Sequence, residues 1–239
     1  MNNNGRSLLL GFIAYAVGVA IGLFLIVIAA WADMESTVYG FPRLANAGLR
    51  GLQCPILMTR DETATISFNV SNPTDSRISP SIKTQISTPL LPEEFQENLR
   101  LTPGESTRLE WLVDPANIDM ERFIFAKVLL FSSYPIPSRE ATCGIFILDL
   151  PGTGQLILPM LVALSLISIG WGLYQIDRRR ASNAWLKKHR GPMIFLAIIV
   201  IVGLIISFMG GWIPSLLVLA VALFIIIILL GSLLAGKSG

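Results

Sequence analysis

The sequence predicts a membrane protein of mixed α and β class, with four transmembrane helices and a β-sandwich inserted between the first and second. Three observations carry this. The chain of 239 residues is 53% hydrophobic and only 14% charged, whereas soluble domains usually carry about a quarter charged residues. The deficit is confined to four stretches without a charged side chain: Leu8–Trp31, Gln155–Ile176, Met193–Pro214 and Ser215–Gly236. Each has about 22 to 24 residues, and a helix needs roughly 20 apolar residues to cross a bilayer core. Between the first two stretches the composition changes, and apolar and polar residues alternate as they do in half-buried strands.

Residues 1–32 form the first element. Ala30-Trp31-Ala32 has the small residues of a signal-peptide cleavage site. The apolar run before it, however, outlasts the roughly 7–15 residues of a signal peptide's hydrophobic core, so it reads as a retained signal anchor. Ala14, Gly18 and Gly22 fall four residues apart. One helix face is therefore smooth, and a helix of this chain or of another can approach it closely.

Residues 33–151 carry ten basic and fifteen acidic side chains and most of the prolines. The length suffices for a folded domain with its own core. In "TISFNVSN" Ile66, Phe68 and Val70 alternate with polar residues, and in "STRLEWLV" Leu109, Trp111 and Val113 do the same. "RFIFAKVLLF" (Arg122–Phe131) and "TCGIFILDL" (Thr142–Leu150) are more uniformly apolar and belong at a sheet centre. Turn sequences separate the runs: "NPTDS" at Asn72, "TPGES" at Thr102 and "YPIPS" at Tyr134. Several short strands at this spacing indicate a β-sandwich. Cys54 and Cys143 are the only cysteines. An even count in an oxidising compartment favours a disulfide between them; the alternative is two buried thiols. Asn69-Val70-Ser71 matches the glycosylation pattern but lies mid-strand and reads as chance.

"ISFNVSNPTDS" followed by "LRLTPGESTRLEWLV" resembles the bacterial extracytoplasmic immunoglobulin-like domains of the CARDB type. The likeness runs from about Leu52 to Leu150 and rests on turn motifs. It implies an immunoglobulin-like sandwich that serves as a spacer or an adhesive surface. It does not extend to the helices.

Residues 152–239 form a three-helix block with a basic loop at 177–192. Arg178, Arg179, Arg180, Lys187, Lys188 and Arg190 lie in that loop. Short loops rich in Lys and Arg stay in the cytoplasm. That places both termini inside and residues 33–151 outside the plasma membrane. Nucleic-acid binding would need a larger basic face with aromatic platforms, and only Trp185 is at hand. Contact with anionic lipid headgroups fits the loop. "RRAS" (Arg179–Ser182) matches a basic-directed phosphorylation pattern short enough to arise by chance. Trp31, Trp171, Tyr174 and Trp212 sit at span ends, as interfacial anchors do.

Channels and pumps place ionisable groups within the bilayer. Here the strongest polar groups in the spans are Tyr15, Ser165, Ser168 and Ser207, which argues against ion or proton translocation. The sequence "LLVLAVALFIIIILL" in the last span is bulky and uniform and faces lipid. The lone histidine, His189, belongs to the basic loop, and no nucleophile with its base or phosphate-binding loop is found. Two cysteines without an outer histidine are too few for a metal site. Catalytic residues, cofactors and metals are therefore not expected. The expected function is a non-catalytic accessory or structural subunit of a larger membrane protein complex. It would dock other membrane subunits through its outer sandwich and its helix faces. The alternative is a carrier or sensor for a lipophilic ligand, such as a lipid, quinone or pigment, held between the helices.

Overall fold

The computed structural model describes residues 3–42, 44–45, 47–49, 51–131, 137–179 and 184–235. Among these residues four helices and nine strands follow one another as one helix, all the strands, then three helices. The helices are α1 (Asn3–Val38), α2 (Gly154–Arg179), α3 (Ala184–Phe208) and α4 (Trp212–Ala235). All four are long and apolar enough to cross a membrane, and the protein is α+β and multi-pass. The chain divides into two units, residues 1–30 with 157–239, and residues 31–156.

Three helix boundaries differ from the sequence reading. α1 does not end with its apolar run but continues through Val38. The polar residues there stay helical because Ser36 and Thr37 donate their hydroxyls to the carbonyls of Asp33 and Met34, each at 2.7 Å. The basic stretch is mostly helix rather than loop, since α2 runs to Arg179 and α3 starts at Ala184. The break between the last two helices falls at Met209–Gly211, so that of the Gly210–Pro214 hairpin read from the sequence Trp212–Pro214 already belong to α4. Gly210 takes φ 77° there, a conformation open to glycine. Pro214 then sits in the first turn of α4, where its missing N–H leaves no helical bond unmade.

In residues 31–156 the strands are β1 (Ala47–Gly48), β2 (Leu52–Gln53), β3 (Leu57–Thr59), β4 (Ala64–Ser71), β5 (Ser81–Ile86), β6 (Glu93–Asn98), β7 (Ser106–Val113), β8 (Phe123–Leu130) and β9 (Arg139–Leu148). One sheet has the order β1-β9-β8-β5-β6, with β3 also on β9; the other is β2-β4-β7. Ile66, Phe68 and Val70 of β4 and Leu109, Trp111 and Val113 of β7 are buried. They share one core with Ile82 and Ile86 of β5, Ile124, Ala126 and Val128 of β8, and Ile145 and Ile147 of β9. The two sheets thus face each other across a single core, and β8 and β9 lie at the sheet centre as their composition predicts. Gly104 at φ 74° follows Pro103 in the "TPGE" turn, and the Glu105 N–H returns to the Thr102 carbonyl at 3.1 Å. Proline then glycine at these positions is what a type II turn requires.

Cys54 and Cys143 form a disulfide across a sequence separation of 89. Replacing both with serine is expected to cost about 2–5 kcal/mol. The check is the thermal unfolding of residues 31–156 followed in the purified full chain, with and without reductant. Wild type under reductant should fall toward the double variant.

Candidate functional site

Every residue of β8 is buried, so both sides of that strand are covered. Its inner side faces the other sheet. Its outer side, with Phe123, Phe125 and Lys127, is covered by the last turns of α1 and the chain after it. Trp31 meets Phe123 edge-on with ring centroids 5.4 Å apart, and Tyr39 lies 4.5 Å from Phe125. Phe123 also packs on Phe125 and on Phe146 of β9. The close approach depends on Gly144, which pairs with Phe125 across the β8–β9 ladder. A Cβ at Gly144 would overlap the Ala32 carbonyl.

Polar groups complete the cover. Lys127, with a side chain only 2% exposed, pairs with Glu140 at 2.9 Å and donates to the Pro42 carbonyl. The same Glu140 oxygen accepts the N–H groups of Leu44 at 3.0 Å and Ala45 at 3.1 Å. Burial pushes the Glu140 carboxyl up, but the Leu44 N–H, the Lys127 ammonium and the Ala45 N–H outweigh it. The group is held below the usual glutamate range. The Tyr39 hydroxyl donates to Asp119. Burial first, then that hydrogen bond and the nearby charge, push the phenol well above its ordinary value. These groups border a cleft of about 290 Å³ lined by Ser36, Tyr39, Phe41, Lys127, Glu140 and Thr142 among others. Through Lys127 and Glu140 the segment after α1 is tied to β8 and β9 of the sheet.

A second anchor lies where the strands lead into α2. Glu62, 9% exposed, accepts the N–H of Thr59 at 2.9 Å and of Gly154, the first residue of α2, at 2.6 Å. A carboxylate there satisfies an orphan donor and meets the positive end of the helix dipole.

In residues 1–30 and 157–239, Gly18 lies at a helix crossing within this chain. A Cβ there would meet the Ser165 carbonyl oxygen and the Ile169 nitrogen of α2, each at 2.7 Å. Gly22 is against Val200 of α3 and the Ser165 hydroxyl. Ala14 is half-buried. Gly11 continues the close face along α1, with Gln175 at 2.9 Å from a Cβ placed on it. The hydroxyls bond between helices, Tyr15 to the Met193 carbonyl and Ser165 to the Gly18 carbonyl, both at 2.7 Å. Ser207 turns back to Leu204 of its own helix at 3.3 Å. Gly18→Leu is expected to cost about 3 kcal/mol or more by overpacking. It should lower the thermal midpoint of the purified chain while membrane insertion, read by fractionation, is unchanged. An unaltered midpoint would contradict the crossing.

Of the basic residues, Arg178 sits 5.5 Å from the Tyr174 ring and Arg190 pairs with Asp177 at 2.9 Å. Arg179 closes α2, and Lys187 and Lys188 lie in α3. Arg180, Lys237 and the Tyr134–Ile136 part of the predicted turn lie outside the described residues. Among the described residues there is no group of three or more His, Cys, Asp or Glu able to hold a metal ion.

No protein-family model matches the chain, and no curated protein matches it in sequence. Among solved structures it is similar to a β-glucuronidase 2 of Bacteroides uniformis covalently bound to cyclophellitol-6-carboxylate aziridine, at 14% identity and a TM-score of 0.30. It is also similar to a second B. uniformis β-glucuronidase structure, at 13% identity and a TM-score of 0.30. Both matches cover 36% of this chain, which spans only 12% of those chains. Likeness at that level carries no argument about fold or activity.

Sequence reasoning did not find Lys127, Glu140, Tyr39 or Glu62. One signal was present: Lys127 is the only charge in the otherwise apolar "FIFAKVLL". A lysine inside a buried strand needs a carboxylate, because an unpaired buried ammonium is too costly.

Proposed function

We propose that the protein is a non-catalytic accessory subunit of a larger membrane complex and that its β unit presents a docking surface outside the cytoplasm. The observation that carries this is the pair of sheet edges the unit presents: β6 ends one sheet and β7 the other. On entry, Trp31–Val38 of α1 lie on the six-stranded sheet; on exit, Glu62 holds the start of α2.

An immunoglobulin-like sandwich is the fold reading we favour. It is supported by the β2-β4-β7 sheet facing a sheet that contains β9-β8-β5-β6, and by β3 running parallel to β9. Antibody-type domains bridge their two sheets through strands B and F. Here the bridge instead joins the segment after β2 to β9. The extracytoplasmic assignment rests on the disulfide, which persists in oxidising compartments, and on the basic residues of 177–192. Partners are other membrane subunits, with anionic headgroups at the basic stretch.

The unpaired outer edges of β6 and β7 are the surfaces to probe, since edge strands offer free backbone groups. A photo-crosslinking residue at Leu112 (67% exposed) or Phe95 (37% exposed) should trap one recurrent protein in native membranes. If neither position traps a protein, the β unit is not the docking surface.

A further inference from the structure

The two most exposed leucines of the β unit are adjacent, and they sit at a hairpin tip. Leu90 is 92% exposed and Leu91 79%, in "TPLLP" between β5 and β6. A large apolar pair left wholly in water is the informative kind of exposure. The tip is also pre-shaped. Pro89 and Pro92 flank the leucines, and the Thr88 hydroxyl closes the turn on the Leu91 carbonyl at 2.5 Å. Little conformational freedom is lost when such a tip is buried.

Strand direction says which end of the unit carries it. β9 leads through Leu148 to Gly154, where α2 begins. β8 is antiparallel to β9 and β5 is antiparallel to β8, so β5 runs toward the same end and turns there. Trp31, where the chain enters the unit, rests on Phe123, the first residue of β8, at that end as well. Met120 (59% exposed) and Leu150 (50% exposed) belong to this end. At the opposite end the turns Asn72–Arg77 and Thr102–Glu105 expose no large apolar side chain, and Leu44 (53% exposed) and Phe131 (37% exposed) stand there singly, without an adjacent apolar pair. The charges at this end of the unit are mixed, with Glu93 next to the tip and, beyond β3 and β9, Arg60 within 3.9 Å of Asp149.

We propose that the Leu90–Leu91 tip dips into the lipid surface from which α1 and α2 emerge, acting as a third, peripheral membrane contact of the β unit. The occupant is lipid because both chain crossings leave from the same end of the sheets. The mixed charge favours zwitterionic headgroups over strongly anionic ones. The inference rests on the membrane-spanning helices and not on the docking role proposed above.

The test uses the full chain with its disulfide intact. Both native cysteines are bonded, so Leu90→Cys supplies one reactive thiol for a polarity-sensitive fluorophore. Asp75→Cys, in a turn at the opposite end, is the reference. The proteins are reconstituted in phosphatidylcholine vesicles with and without lipid bearing a nitroxide high on the acyl chain. The expected result is blue-shifted emission at Leu90→Cys, with most of it lost to the nitroxide lipid, and neither effect at Asp75→Cys. Water-like emission at both sites overturns the proposal. So does blue-shifted emission that the nitroxide lipid leaves intact, which would mean the tip is covered by protein.

Discussion

Replacing Gly144 with alanine will lift the end of α1 off the six-stranded sheet. The added methyl falls on the Ala32 carbonyl and within 3.0 Å of the Ala32 Cα. Both are helix backbone, so no rotamer change relieves the overlap. Overpacking of this kind costs about 1–3 kcal/mol and sometimes more, and the upper end applies because a whole helix must move. The Trp31–Phe123 and Tyr39–Phe125 contacts then open together. The measurement is thermal unfolding with parallel limited proteolysis of the segment after Val38. A drop of roughly 10 °C with faster cleavage is expected. A variant that melts like wild type would mean that α1 does not rest on β9.

Glu140→Ala should be comparably damaging through charge rather than volume. It leaves Lys127 buried without a counter-ion and frees the Leu44 and Ala45 N–H groups. Breaking one side of a buried pair costs about 3–5 kcal/mol. Replacing both partners with apolar residues of similar size, Lys127→Met with Glu140→Leu, should recover much of that loss, since removing a buried pair entirely is often near neutral. Denaturant midpoints of the two variants read the difference directly. If the double variant is no better than the single one, the penalty is not an uncompensated charge. Acid should mimic the single variant. Glu140 is held below its unfolded value, so its stabilisation is complete above the ordinary glutamate range, near pH 4.3. It is lost as pH falls through the lowered folded value.

How far the fold could be read in advance depended on which force set each element. The four apolar helices and the strands with inward Ile66, Phe68, Val70, Leu109, Trp111 and Val113 were legible, because burial writes a period into the sequence. So was the cysteine pair. β6, "EEFQEN", was not legible: it is an exposed edge strand held by its ladder to β5, and no apolar alternation marks it. The end of α1 was missed for a related reason. Asp33, Glu35 and Ser36 end the apolar run, yet Ala32 and Ser36 are buried against a strand more than a hundred residues away in sequence. The lock made by Lys127 and Glu140 was beyond reach for the same cause. It joins three segments whose proximity only the sheet register creates.

The most direct test of the subunit reading is purification of the tagged protein from its native membrane in mild detergent, with quantitative mass spectrometry of what accompanies it. The account predicts a constant set of partner chains at fixed stoichiometry, and loss of that set in Gly144→Ala. Recovery of the chain alone, stable and carrying an extractable apolar molecule, would contradict it and leave a carrier or sensor of lipophilic ligands in its place.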